Sequence, residues 1–152
     1  HYEMELVFAL KSGGTKITEA DALSHIYGCA AGLDMTRRDL QNKAKENRKP
    51  WDTAKDVDQS AVITPLRQMS EVPSVASGRI HLSQNGTVKQ DADLSEMVWS
   101  VPEIIADLST MYTLQQGDVI YMGTPAGVGA VSRGDVLAGG VEGIGDFEVK
   151  IA

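Results

Sequence analysis

Glu3 and Glu5 stand two residues apart in a segment, Tyr2 to Leu10, whose side chains alternate. Tyr2, Met4, Leu6, Phe8 and Leu10 share one face; Glu3, Glu5, Val7 and Ala9 share the other. That is the period of a β-strand, so both carboxylates leave the same side. An E-x-E on a strand is most often a solvated polar face. Here the apolar face already supplies the core, and Val7 and Ala9 make the glutamate face only partly polar, so it reads as covered too. Two half-buried carboxylates need a cation, and oxygen-only ligands suit Mg²⁺, with Mn²⁺ or Ca²⁺ as alternatives. Asp34, at the end of the apolar stretch that starts at Ala30, is the natural third oxygen ligand.

The segment from Gly32 to Gln41, Gly-Leu-Asp-Met-Thr-Arg-Arg-Asp-Leu-Gln, is dense in polar function. On a helical turn Asp34, Arg38 and Gln41 fall at i, i+4 and i+7, one above another. The bland alternative is a capped helix start with surface ion pairs. The chemical reading gives Asp34 to the metal and sets Arg38 and Gln41 toward a ligand carboxylate or carbonyl, for which the planar guanidinium fork is suited. Lys55, taken alone, is a solvated surface lysine, and Trp51 reads as a packing anchor. Gly123-Thr-Pro-Ala-Gly-Val-Gly129 lacks the Gly-Lys-Ser/Thr ending of a phosphate loop. It reads better as a tight turn whose backbone N–H groups and Thr124 hydroxyl can reach a carboxylate or a developing oxyanion. His25, His81 and Cys29 read as structural, and no Ser/His/Asp set stands out.

These side chains need elements to carry them. After the strand over Tyr2–Leu10 comes a Gly-Gly turn, then a short helix with Thr18 as N-cap that runs to Tyr27 and closes at Gly28. A buried strand spans 30–35, and a charged helix spans Thr36 to Asn47, stopped before Pro50. Ser60–Leu66 is a candidate strand, and Ile80–Lys89 a hairpin around Asn85-Gly86. Ser100-Val-Pro-Glu103 is a capping box that launches a helix to about Tyr112. A strand over Asp118–Met122, a Gly-rich stretch to Gly145 and a last strand over Asp146–Ile151 complete the chain. Nine of the fifteen glycines lie between Gly117 and Gly145. This is one β-rich α+β domain and not a doubly wound one, since strands follow strands without regular helical crossovers.

Composition bounds the partners. The chain has 152 residues, is 42% hydrophobic and 23% charged, and carries a net charge of −7. That is globular composition, and the negative sign argues against a nucleic-acid backbone or an anionic membrane surface as main partner. No apolar run approaches the roughly 20 residues of a membrane span. The single Cys29 points to a reducing, cytoplasmic setting. The first residues run at once into a strand, so a preceding segment is expected.

Four pieces together resemble the fumarylacetoacetate hydrolase superfamily: His1-Tyr-Glu-Met-Glu-Leu6, the 32–41 segment, Lys55 in its loop, and Gly117-Asp-Val-Ile-Tyr-Met-Gly-Thr-Pro-Ala-Gly-Val-Gly129. They occur in the family's order and cover essentially the whole chain. Within the family the 34–41 run, Arg48-Lys-Pro-Trp51 and Gly139-Gly-Val-Glu-Gly-Ile-Gly145 most resemble the fumarylpyruvate hydrolases of gentisate degradation. The resemblance implies layered, partly rolled mixed β-sheets in a sandwich, and a homodimer. It implies a divalent metal on Glu3, Glu5 and Asp34, substrate contacts from Arg38, Gln41 and Thr124, and a catalytic Lys55 beside the developing oxyanion. The family's general base, a His–Glu pair on a lid, lies N-terminal to the His-Tyr-Glu strand, so residues 1–152 correspond to the catalytic body that follows it. The expected reaction is hydrolysis of 3-fumarylpyruvate to fumarate and pyruvate. Acylpyruvate hydrolysis, oxaloacetate decarboxylation and hydroxymuconate-type isomerisation share the same chemistry. The alternative of another class is a non-catalytic metal- or carboxylate-binding scaffold.

Overall fold

The computed structural model describes all residues from His1 to Ala152. Nine strands, β1 (Met4–Leu10), β2 (Ile26–Asp34), β3 (Ala61–Ile63), β4 (Arg67–Gln68), β5 (Arg79–Gln84), β6 (Thr87–Asp93), β7 (Val119–Tyr121), β8 (Val136–Val141) and β9 (Gly145–Lys150), form two sheets. Four short helices, α1 (Glu19–Ala22), α2 (Arg38–Glu46), α3 (Asp52–Lys55) and α4 (Val101–Met111), connect or flank them. One sheet has the order β3-β2-β1-β7 with β4 added on β2; the other has the order β6-β5-β8-β9. The α+β, strand-rich, layered architecture is as expected. The pairings, expected to be mixed, are antiparallel throughout.

β1 is the centre of the construction. All seven of its residues are buried, which is the pattern of a strand covered on both faces rather than one. Met4, Leu6 and Phe8 join Ile80, Leu82, Leu137 and Val141 of the second sheet in one apolar core. The register pairs Met4 with Leu33 and Glu5 with Gly32, so the glutamates lie beside the C-terminal end of β2. Gly32 is required there: a Cβ would lie 2.7 Å from Val7 Cγ2 and 2.9 Å from the Val62 carbonyl oxygen. No helix is long and apolar enough to cross a membrane.

Several boundaries differ from the sequence reading. Thr18 does cap α1, its hydroxyl accepting from Asp21 N–H, but the helix ends early. Tyr27 and Gly28 belong to β2, which takes nine residues instead of the short segment expected. Ile26 and Tyr27 are β-formers and, with β1 beside them, the sheet outcompetes a helical turn that packs on little. Asp34 ends β2 and α2 starts only at Arg38, so Asp34 shares no helical face with Arg38 and Gln41. The Gly-rich region contains β8, which went unseen because glycine reads as loop. Gly139 and Gly140 serve there as close-approach positions, since a Cβ on Gly139 would meet the His81 carbonyl oxygen at 2.6 Å. The hairpin at Asn85-Gly86 and the capping box at Ser100–Glu103 fold as read. Met111, the last residue of α4, is exposed.

Candidate active site

A cleft of about 450 Å³ opens at the N-terminal end of β1, lined by Glu3, Glu5, Asp34, Arg38, Gln41, Lys55 and Thr124, with Lys45, Trp51, Tyr121 and Gly123. All seven residues singled out from the sequence therefore share one cavity. Glu5 lies on β1 and Glu3 immediately before it, and the strand period puts both on one face; Asp34 arrives because β2 ends there, its N–H donating to the Glu3 carbonyl at 2.9 Å. Carboxylate oxygens from Glu3, Glu5 and Asp34 all lie within 4.8 Å of one another.

Arg38 and Lys55 come from two helices that hold each other. The Arg37 N–H donates to the Ala54 carbonyl at 3.0 Å, and Ala54 is fully buried between them. Arg38 forks, one nitrogen donating to Glu3 and the other to Gln41 Oε1 at 2.5 Å. Lys55 spends all three ammonium hydrogens: on Glu3 Oε2 at 2.7 Å, on the Thr36 hydroxyl at 2.8 Å, and on Asp34. It is not the solvated lysine that its local sequence suggests, and it stands at the end of α3 rather than in a loop. Trp51 is a correction as well. It is 45% exposed and forms part of the rim, with Lys45 Nζ 4.8 Å from its ring centre.

The charges do not balance. Burial pushes the Glu3 carboxyl up, but hydrogen bonds from Lys55 and Arg38 outweigh it and leave Glu3 below its ordinary value. For Lys55, burial disfavours the ammonium, and hydrogen bonds to Asp34 and Glu3 more than restore it, so its pKa is raised. Glu5 has no such partner. It is 3% exposed, accepts the Gly123 N–H at 2.8 Å, and burial pushes it up to about 7, with the Asp34 and Glu3 charges adding to the effect. Three carboxylates face two cations, and the unmatched one is the most buried. Hard oxygen donors gathered with an uncompensated charge among them fit a divalent cation of the Mg²⁺ or Mn²⁺ kind.

The turn after β7 closes the site from the other side. Glu5 holds its Gly123 N–H, and Gln90 Nε2 donates to Thr124 Oγ1 at 2.8 Å and to the Pro125 carbonyl at 2.9 Å. Gly127 lets the turn sit on β6, since its φ is +102° and a Cβ there would collide with the Lys89 carbonyl. A second cavity of about 520 Å³, lined by Leu94, Met97, Trp99, Ile104 and Met122 among others, reaches the same Gly123–Thr124 corner. Sequence reasoning missed Gln90, Thr36 and Lys45. For Gln90 the sequence holds a signal in its alternation, which sets it between Val88 and Ala92 on one face of the strand.

Comparison with known proteins gives the family of the chain. The pattern for the fumarylacetoacetate (FAA) hydrolase C-terminal family matches residues 1–152. A fumarylpyruvate hydrolase of Ralstonia sp is 50% identical over 151 residues, which are 99% of this chain and 78% of that protein. The mitochondrial oxaloacetate tautomerase FAHD1 of Rattus norvegicus is 36% identical, over 99% of this chain and 68% of its own length. Among solved structures, the fumarylpyruvate hydrolase of Pseudomonas aeruginosa in complex with Mn²⁺ and pyruvate superimposes with a TM-score of 0.97 at 42% identity, covering 99% of this chain and 65% of that one. Matched over its whole length, and with a cluster of three carboxylates at the end of its central strand, the chain belongs to the fumarylacetoacetate hydrolase family.

Proposed function

We propose that the protein is a metal-dependent hydrolase that cleaves a carbon–carbon bond in a 2,4-diketo acid, 3-fumarylpyruvate plus water giving fumarate and pyruvate, as in gentisate degradation. The observation that carries this reading is the uncompensated Glu5 within the Glu3–Glu5–Asp34 cluster, beside a lysine and a hydroxyl turn. The likeness to fumarylpyruvate hydrolases from Ralstonia sp and Pseudomonas aeruginosa supports it. Glu3, Glu5 and Asp34 are the proposed ligands of Mg²⁺, with Mn²⁺ able to replace it. When bound, such a cation polarises the 2-oxo group and offsets negative charge developing on the pyruvate half.

The chain's own residues bind the substrate and stabilise the charge that scission develops. Thr124 and Gln41 hold and orient the carboxylate and its neighbouring carbonyl, and Arg38 supplies positive charge on the same wall. In the metal-free site the hydrogen bonds to Asp34 and Glu3 favour the Lys55 ammonium, which places a positive charge beside the proposed position of the oxyanion. Two of its hydrogens lie on Glu3 and Asp34, two of the carboxylates proposed for the metal; when those carboxylates change partner, Lys55 can turn a donor to the substrate's 2-oxygen. Water adds to the distal ketone, and the C–C bond breaks with its electron pair passing to the pyruvate half as an enolate that then takes up a proton. That negative charge develops where Lys55 and the cation site converge. A cytoplasmic homodimer is part of the proposal.

The test is to supply purified protein and Mg²⁺ with 3-fumarylpyruvate and follow fumarate and pyruvate by NMR. Equimolar products that vanish with EDTA, and with Glu3 and Glu5 both changed to Gln, are expected; undiminished turnover in that double variant would remove the site assignment. The likeness to oxaloacetate tautomerases favours a second reading, in which the same residues stabilise the enolate of oxaloacetate. Faster enol–keto exchange or CO₂ release from oxaloacetate, with no cleavage of 3-fumarylpyruvate, would establish that one instead.

A further inference from the structure

We propose that Gln90 is a positioning residue that sets the direction of the Thr124 hydroxyl, forcing it to donate into the cleft. The inference rests on the reading above in which Thr124 meets the substrate. Gln90 lies on β6, in the other sheet from Glu3 and Glu5, and is 1% exposed. Its amide is fully used: Oε1 accepts from the Met4 N–H at 3.1 Å, and Nε2 donates to Thr124 Oγ1 at 2.8 Å and to the Pro125 carbonyl at 2.9 Å.

The polarity of this set admits no reversal. A backbone N–H only donates and a backbone carbonyl only accepts, so Met4 and Pro125 between them decide which end of the amide carries oxygen. Nitrogen must then face Thr124. Nitrogen can only donate, so the Thr124 oxygen accepts, and its own proton is left free. That proton makes no other bond within the protein. A hydroxyl that could otherwise present either a lone pair or a proton to a ligand is thereby committed to the proton, which is what an anionic or carbonyl oxygen requires.

The Met4 bond has a second consequence. Met4 sits between Glu3 and Glu5, and its N–H points to the side of β1 where β7 pairs. That pairing reaches Leu6, whose carbonyl accepts from Met122 N–H at 3.0 Å, and stops short of Met4. Gln90 takes over one step further along the strand. One buried side chain thus joins the strand that carries the carboxylates to the turn that carries the hydroxyl.

The experiment is a double-mutant cycle read by binding. Pyruvate is titrated into the Mn²⁺-loaded protein by calorimetry for wild type, Gln90→Met, Thr124→Val and the double variant, and Mn²⁺ affinity is measured separately. Thr124→Val and Gln90→Met should each weaken pyruvate about tenfold, as expected for losing one hydrogen bond to a charged group. The double variant should be no weaker than Thr124→Val alone, with Mn²⁺ affinity within about twofold throughout. Additive losses, an unaffected Gln90→Met, or a parallel fall in Mn²⁺ affinity would overturn the inference and leave Gln90 a packing residue of the strand. Full pyruvate affinity in Thr124→Val would instead overturn the substrate role of Thr124 itself. Should Gln90→Met fail to fold, Gln90→Leu, which likewise removes the Nε2 donor without adding charge, takes its place in the cycle and should show the same loss.

Discussion

Replacing Glu5 by Gln tests the charge imbalance at the centre of the site. Gln is nearly isosteric and its Oε1 can still accept the Gly123 N–H, so the packing of β1 is preserved while the charge is removed. A carboxyl whose pKa rises from 4.5 to about 7 on folding costs the metal-free folded state about 3 kcal/mol when fully ionised. The sign follows from proton binding. The folded protein holds this proton more tightly than the unfolded chain, so the cost is absent below pH 4.5, grows between pH 4.5 and about 7, and is complete above that. In EDTA, Glu5→Gln should therefore match wild type at pH 4.5 and exceed it by about 3 kcal/mol at pH 8. Urea unfolding of both proteins across that range measures the difference, and other titrating groups largely cancel in it. With Mn²⁺ the order should reverse, because wild type gains the cation that Glu5 lacks, whereas the variant should lose about 100-fold or more in metal affinity. Parallel stability curves in EDTA, or equal Mn²⁺ affinities, would refute the argument that Glu5 is buried for a cation.

Lys55→Met should tighten Mn²⁺ binding several-fold, since it frees Glu3 and Asp34 from a competing ammonium, while lowering kcat about 100-fold or more on 3-fumarylpyruvate; calorimetry and steady-state kinetics separate the two. Residues 37–55 hold seven of the fourteen basic residues against three acidic ones, a local reversal of the chain's sign that favours approach of an anion. Lys45→Ala should raise KM for that dianion about fivefold at low ionic strength with kcat unchanged, a difference that 0.5 M NaCl should erase. Gly32→Ala should destabilise the fold by about 1–3 kcal/mol in urea unfolding, because its methyl group would strike Val7 and the Val62 carbonyl.

The carboxylates proposed to carry the chemistry were legible before the fold because their types are unusual for their places. Two glutamates on the back of an apolar strand, and an aspartate closing another, are costly unless something compensates them, and that cost can be read from alternation alone. Lys55 and Trp51 had no such signature. Their roles come from α3 docking on α2 through a single backbone hydrogen bond and the buried Ala54, a contact invisible to local spacing. The strand β8 was hidden for the opposite reason: Gly139 and Gly140 look like loop because glycine weakens strands, yet here only a missing side chain lets β5 and β9 approach. Gln90 lies between these cases. Alternation sets it between Val88 and Ala92 on one face of β6, and once buried its amide must find partners for both ends. Which partners it finds is decided by the second sheet folding over the first, so the direction of the Thr124 proton is a property of the tertiary structure. The proposed metal ligands of this family member can thus be read along two strands, whereas the polarity of its proposed substrate contact arises only where the two sheets meet.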